Sequence, residues 1–351
     1  MPKISIVSPV YKTEKYINKM LETIRTQTFT DFEVIFVDDG STDNCPQILD
    51  DFAKEDNKFK VIHQKNSGAS AARNNGLEHC SGEYVYIIDS DDYLEKNALE
   101  LLWENAQKTS ADIIYGDYYI EESNRSILKK VFDREFYTDN SNDIDIIQSA
   151  VNIGGSGINL SSKSFERINE FGGAPWRAMI RRSIISDNMI RYDESLKGLG
   201  EDILFIQNVY EHVSSVSYIQ KPIYHYRMLN DSLSHGYKKD LLKGFDLVYD
   251  KEELFLKQNN KGNNHWITYY YRIIKYINLS LKYYFQNKGN TSSDTERFNE
   301  FKRTMRSYPY KTAIKSVPLK LISSKNNKIS VLLLKMHMYR LFWMLKKRKN
   351  K

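Results

Sequence analysis

Four short runs rich in Ile and Val open the chain: residues 3–8 (KISIVS), 33–38 (EVIFVD), 59–63 (FKVIH) and 84–89 (YVYIID). Between them, 14–27, 44–56 and 69–80 carry apolar residues at helical spacing. This alternation predicts a parallel α/β sheet, and near-continuous apolar runs suit strands covered on both faces. A helix over 94–108 and a strand over 112–119 (DIIYGDYY) extend the pattern. Residues 120–170 are polar and irregular, with GGSG at 154–157, and read as loops around a cleft. Helices are predicted over 176–190 and 201–213, then a strand over 216–226 (VSYIQKPIYHY). Beyond about 240, Leu, Tyr, Ile and Phe recur at helical spacing, so a helical appendage follows, with NKGNTSSD (287–294) as a linker or loop. The division expected is residues 1–235 for the α/β domain and 236–351 for a helical, basic C-terminal region. A chain of 351 residues accommodates that arrangement.

Charge is distributed unevenly. From residue 300 onward there are 15 Lys and Arg against one acid, Glu300, a net of +14. The rest holds 36 basic and 44 acidic residues, a net of −8. An acidic body with a basic tail points to a phosphate-rich partner such as anionic lipid or a polyanionic glycan. Nucleic acid is disfavoured, since no recognisable nucleic-acid module accompanies the charge. Residues 329–345 (ISVLLLKMHMYRLFWML) fit a helix lying in a headgroup plane, with Leu333, Phe342 and Trp343 toward lipid. A helix docked on the protein's own body is the alternative. The run is too short and too charged for a membrane span. Cys45 and Cys80 form neither a metal spacing nor a disulfide framework. With MPKISIVSPVYK running straight into a strand, the expected location is the cytoplasm, peripheral at the inner face of the cell membrane. The 25 Tyr residues suit stacking on sugars, bases or headgroups, although an AT-rich coding sequence would produce the same excess.

Chemistry concentrates where strands end. In open parallel sheets, ligands sit beyond the carboxyl ends of the strands. SPVYK (8–12), DDGSTD (38–43), NSGASAARNNG (66–76) and DSDD (89–92) each follow one of the first four strands. Singly, each reads as a turn with a helix cap. Together they bring many carboxylates to one sheet edge, and grouped carboxylates repel unless a cation or proton intervenes.

Residues 3–119 resemble family 2 glycosyltransferases of the GT-A fold, which act in bacterial capsule, exopolysaccharide and teichoic-acid glycosylation. The resemblance rests on SIVSPVYKTEKYINKMLETIRTQTFTDFEVIFVDDGSTD, NSGASAARNNGL, GEYVYIIDSDD and, later, GLGEDILF. It implies a Rossmann-like, mostly parallel sheet and metal-assisted, inverting transfer from a UDP-sugar to a glycan or lipid-linked acceptor. Pro9, Tyr11, Asp39, Asn66, Gly68, Arg73, Asp89 and Ser90 then fall in the nucleotide site. Tyr11 would stack on the base, Asp39 would accept from the uracil imide, and Asp89 would approach the ribose. Asp91 would hold Mn²⁺ or Mg²⁺, hard cations suited to oxygen ligands, with His225 as a second candidate. Asp92 either reaches the ion through water or caps a helix. Asp202 is the expected base and Glu201 its neighbour in the acceptor site. Arg227 and Ser232 match a lid that clasps the diphosphate. Trp176 matches an acceptor platform, but WRAMIRRS (176–183) departs from the family's usual Trp-Asn-Lys-Leu-Tyr, which puts acceptor contacts in doubt. Two other readings are a nucleotidyltransferase, which lacks its glycine-rich phosphate loop here, and a non-catalytic nucleotide-sugar-binding scaffold.

Overall fold

The computed structural model describes all residues except 153–156, 170, 171, 197, 230–235, 350 and 351. The chain forms two compact units, residues 1–147 with 162–229 and residues 148–161 with 230–351.

In the first unit, β1 (Ile4–Val10), α1 (Glu14–Arg25), β2 (Phe32–Asp38), α2 (Cys45–Ala53), β3 (Phe59–His63), α3 (Ala69–Glu78) and β4 (Tyr84–Ile87) alternate as the hydrophobic pattern predicts. These four strands are parallel, in the spatial order β3-β2-β1-β4. Every residue of β2 is buried, as a strand covered on both faces requires. Pro9 sits in β1, a central strand, and yet no ladder bond is lost. The Val7 carbonyl turns toward β4, so Pro9, two residues on, faces the same way, where β4 has already ended.

The sheet continues through β5 (Tyr93–Leu94), α4 (Ala98–Thr109), β6 (Ile113–Glu122), β7 (Arg125–Lys129), β8 (Phe136–Thr138), α5 (Ser141–Val151), β9 (Ala178–Arg181), α6 (Arg182–Asp187), α7 (Glu201–Tyr210) and β10 (Val216–Arg227). Its full path is β3-β2-β1-β4-β9-β6-β10-β5, with β7 on β6 and β8 on β10. The sheet is mixed, with β9 running antiparallel between β4 and β6.

Two expectations change here. The region 120–170 holds two strands and a helix rather than loops alone. Residues 176–190 are not one helix: a 3-10 turn at Pro175–Arg177 leads into β9 and then the short α6. In β9, Ala178, Met179 and Ile180 are all buried, because the strand is inserted between two others. A four-residue strand leaves no period-two signature to read against helical spacing.

The second unit is helical: α8 (Leu241–Gln258), α9 (Asn263–Ser280), α10 (Asp294–Arg306), α11 (Tyr310–Ser316), α12 (Lys325–Lys335) and α13 (Tyr339–Lys349). Segment 148–161 joins it through the Ile158–Ile322 bridge. The 287–294 stretch is a loop that ends in a capping box between Ser293 and Glu296 at the start of α10. Arg272 and Glu252 form a wholly buried ion pair between α9 and α8.

The tail departs from the single interfacial helix expected. Residues 329–345 break at His337, whose φ is +58°, into α12 and α13. Phe342 and Trp343 are buried. The Trp343 indole packs against Phe298 at 5.5 Å and Phe301 at 5.4 Å, and Phe342 stacks on Phe301. Leu333 is buried as well, so none of the three is free to enter lipid. The physical reason is that this segment is apolar on more than one face, and the unit's own core takes one of them. Among the described residues, no helix is long and apolar enough to cross a membrane.

Candidate active site

The ends of β1 to β4 gather the polar clusters. Tyr11 follows β1 and is 43% exposed, with the Lys12 ammonium 5.1 Å from the centre of its ring. At the end of β2, the Asp38 carboxylate accepts from Ser41 N–H and pairs with His63, whose pKa is raised by that bond and by Asp50. Asp39 is buried and accepts three bonds of 2.8 Å, from Gln64 Nε2, Ser67 N–H and Gly68 N–H. Asn66 Nδ2 donates to the Asp39 carbonyl. The 64–68 loop is therefore wrapped on Asp39, and an ionised carboxylate with about four lone-pair sites keeps room for one more donor. Gly40, at φ +69°, permits the wrap: a Cβ there would stand 2.8 Å from the Asn66 backbone nitrogen.

Beyond β4 lie the acids. Arg73, on α3, donates to Asp89 at 2.9 Å and to Asp202 at 3.2 Å. Its guanidinium is buried and lies 5.3 Å from the centre of the Tyr192 ring, itself stacked on Phe205. Arg73 is thus neither a surface residue nor a simple phosphate contact; it ties the strand-four acids to the first turn of α7. Gly200, left-handed at φ +85°, precedes that turn and begins the helix so that Glu201 and Asp202 lie together. The Asp202 carboxyl is raised by burial, lowered by Arg73 and raised again by Asp89. Glu201 is raised by burial and then by Asp202. Asp91 is pushed up to about 6, by burial first and by Asp89 second.

Asp92 is structural. It accepts from Arg227 N–H at 2.7 Å and from the Tyr224 hydroxyl at 2.9 Å, and the same hydroxyl accepts from Asp89 N–H. Ser90 is buried and accepts from Thr13 Oγ1 at 3.1 Å, so its hydroxyl fastens α1 rather than opening toward a ligand.

Strand alternation decides the fate of β10. Tyr224 and Tyr226 share the face of the acids, and the Tyr226 hydroxyl is raised by burial and then by Asp92, Asp91 and Asp89. His225 turns to the opposite face. There it stacks between Tyr93 and Tyr119, with Nδ1 2.7 Å from Glu121 and Nε2 3.1 Å from Glu95. Both ring nitrogens are engaged, which removes His225 as a ready metal ligand. Arg227 packs over Tyr93 and Tyr16, and its charge lowers Asp91. Ser232 lies outside the described residues.

Trp176 is only 5% exposed. It stacks on Tyr224 at 4.6 Å and Tyr226 at 5.4 Å, and so supports those rings instead of offering its own face to an acceptor. The sequence pattern does not single out Tyr192, Tyr224 or Tyr226. The aromatic spacing in PIYHYR is the available signal for the last two, but which of its side chains meets the acids depends on the strand's pleat, and Tyr192 has no such signal.

Among the described residues, no group of three or more His, Cys, Asp or Glu side chains is placed to hold a metal ion by itself. The donor set still fits a hard cation of the kind that binds one or two carboxylates and completes its shell with substrate phosphate and water. Asp91 is raised by burial first and by the like charge of Asp89 second, and a bound cation would relieve that repulsion.

Comparison with known proteins gives the family. The model for "Glycosyl transferase family 2" matches residues 5–187. The chain is 34% identical over 263 residues to the putative glycosyltransferase EpsH of Bacillus subtilis, covering 74% of this chain and 71% of that one. It is 29% identical over 209 residues to the poly(ribitol-phosphate) beta-N-acetylglucosaminyltransferase TarP of Staphylococcus aureus, covering 58% and 56%. The crystal structure of S. aureus TarS 1-349 in complex with UDP-GlcNAc superposes with a TM-score of 0.61 at 20% identity, covering 98% of this chain and 90% of that one, a likeness of fold. The chain, with its mixed but mostly parallel sheet and its acids gathered at the strand ends, belongs to glycosyl transferase family 2 and is a glycosyltransferase.

Proposed function

We propose that this enzyme transfers a sugar, with inversion, from a UDP-sugar to a hydroxyl of a glycan or lipid-linked glycan in cell-surface polysaccharide synthesis. The observation that carries the reading is the Asp89–Arg73–Asp202 bridge, which couples the strand-four acids to a carboxyl made more basic by burial. Asp202 would take the acceptor proton as the hydroxyl oxygen bonds to the anomeric carbon opposite the departing UDP. A single displacement inverts that carbon. Tyr11 would stack on uracil, and Asp39 would use its remaining lone pair on the imide N–H, with Asn66 and Gly68 holding the loop. Asp91 would hold a divalent cation, Mn²⁺ or Mg²⁺, together with the donor diphosphate; when bound, such an ion neutralises charge on the leaving group. Arg227, with Ser232 beyond it, would add positive charge and hydrogen bonds there. Glu201 would orient the acceptor.

The uridine assignment draws support from the relative solved with UDP-GlcNAc and from the free acceptor capacity of Asp39. The +14 charge beyond residue 300 supports work at an anionic membrane surface, at the inner face of the cell membrane. The deciding experiment measures UDP release from a panel of UDP- and GDP-sugars with Mn²⁺ or Mg²⁺. Release from one or two UDP-sugars, abolished by chelator, is expected. Equal use of GDP-sugars, or full activity in excess chelator, overturns the assignment.

A further inference from the structure

Seven of the 18 exposed large apolar side chains among the described residues fall within 329–345. They are the faces of α12 and α13 that the core does not take. Ile329, Leu332 and Met336 follow one another at helical spacing on or just past α12, and Leu341, Met344 and Leu345 do so on α13. Ile329 is 53% and Met336 59% exposed, while Phe342 and Trp343 on the same segment are buried. Six Lys and Arg and no acid lie between 325 and 347. Arg340 lies over the Phe298 ring, and Lys347 reaches Asp294.

We propose that these outward faces of α12 and α13 seat the enzyme on an anionic phospholipid bilayer, with Ile329, Leu332, Met336, Leu341, Met344 and Leu345 entering the headgroup region and Lys325 and Lys328 on lipid phosphate. The inference rests on the membrane reading above and assigns it to residues opposite to those expected from sequence. A bilayer is favoured over a soluble polyanion because phosphate chains attract Lys and Arg but give apolar side chains nothing to bury against. Flexible Met and Leu side chains beside cations suit an interface that is apolar beneath and anionic above. Buried Phe342 and Trp343 act differently, holding α13 on its unit so that the outer face is presented as a fixed surface.

The test is co-sedimentation of the full chain with vesicles of phosphatidylglycerol and phosphatidylcholine, or of phosphatidylcholine alone, at low and high salt. Two variants are compared with wild type: Ile329→Ser/Leu332→Ser/Met336→Ser, and Lys325→Gln/Lys328→Gln. Both change side chains at the surface, and unchanged thermal unfolding and donor hydrolysis confirm that the fold survives. Wild type should bind the anionic vesicles, with partial loss at high salt. The apolar variant should lose roughly tenfold or more and become fully salt-sensitive. The lysine variant should lose up to about fivefold per charge, mainly at low salt. If wild type sediments and the apolar variant sediments equally well, the face is wrong while membrane association stands. If wild type stays in the supernatant, both fall. Equal wild-type binding to soluble polyphosphate, unaffected by the apolar variant, assigns the charge to a polyanion and overturns the proposal. Loss of self-association by the apolar variant in sedimentation velocity, without vesicle binding by wild type, assigns the face to a second copy.

Discussion

Replacing Arg73 by Met keeps a long apolar stem on the Tyr192 ring and removes the cation that bridges Asp89 and Asp202. With the charged groups about 4 Å apart, each pair is worth roughly 4 kcal/mol at an effective dielectric near 20. The carboxylates are 27% and 32% exposed, so water screens part of this, and about 1.5–2 kcal/mol for Asp202 is the sounder figure. That equals just over one pKa unit. Asp202 is already raised by burial, and losing Arg73 raises it further. A base works only when ionised, so the acid limb of the pH–rate profile should move up by about one unit, with activity recovering at high pH. Arg73 is in this sense a positioning residue. A second readout separates charge from shape. In the variant, the folded pKa of Asp202 stands above its unfolded one, so the folded state binds more protons between those two values. Its stability deficit, about 1–3 kcal/mol near pH 8, should therefore shrink as pH falls toward 5. The assay is metal-dependent hydrolysis of the preferred UDP-sugar from pH 5 to 9, alongside thermal unfolding at both ends. A well-folded Arg73→Met enzyme whose acid limb stays within about 0.3 unit of wild type refutes the coupling.

Other consequences follow from the same geometry. Asp202→Asn should bind UDP with Mn²⁺ at near wild-type affinity in calorimetry while transfer falls by at least about 10²-fold; turnover within a few-fold of wild type would move the base to Glu201. Asp91 is raised to about 6, and protons compete with a cation for it, so Mn²⁺-dependent UDP binding should weaken as pH falls through 6; Asp91→Asn should flatten that dependence. Asp39→Ala should weaken UDP binding by about 1–3 kcal/mol and loosen the 64–68 loop, read by titration and by hydrogen exchange at Ser67 and Gly68. Trp343→Ala empties a buried aromatic site and should cost about 3–5 kcal/mol in denaturant unfolding, whereas Met344→Ala, at the exposed face, should cost under about 0.5 kcal/mol.

Much of the candidate site at the strand ends was legible in the sequence because it depends on short-range order. Strands β1 to β4 announce themselves as apolar runs, and whatever follows each run must emerge at the same sheet edge. Tyr11, Asp39, Asp89 and Asp91 could therefore be placed together from their positions alone. What lay across the sheet could not. Asp202 meets Arg73 across 129 residues, and only the tertiary fold brings the first turn of α7 to hydrogen-bonding distance of α3. His225 and Tyr224 are neighbours in sequence, but the pleat of β10 sends one to Glu95 and Glu121 and the other to Asp89 and Asp92. Trp176, which the family resemblance makes an acceptor platform, is a buried support, since Tyr224 and Tyr226 of β10, some fifty residues on in sequence, stack against it. The tail shows the same division. Its apolar and basic composition was plain from the residues, but a segment with more than one apolar face does not say which will be buried. The core of the helical unit chose Phe342 and Trp343, whose flat rings fit between Phe285, Phe298 and Phe301, and left Ile329, Met336 and Met344 outside.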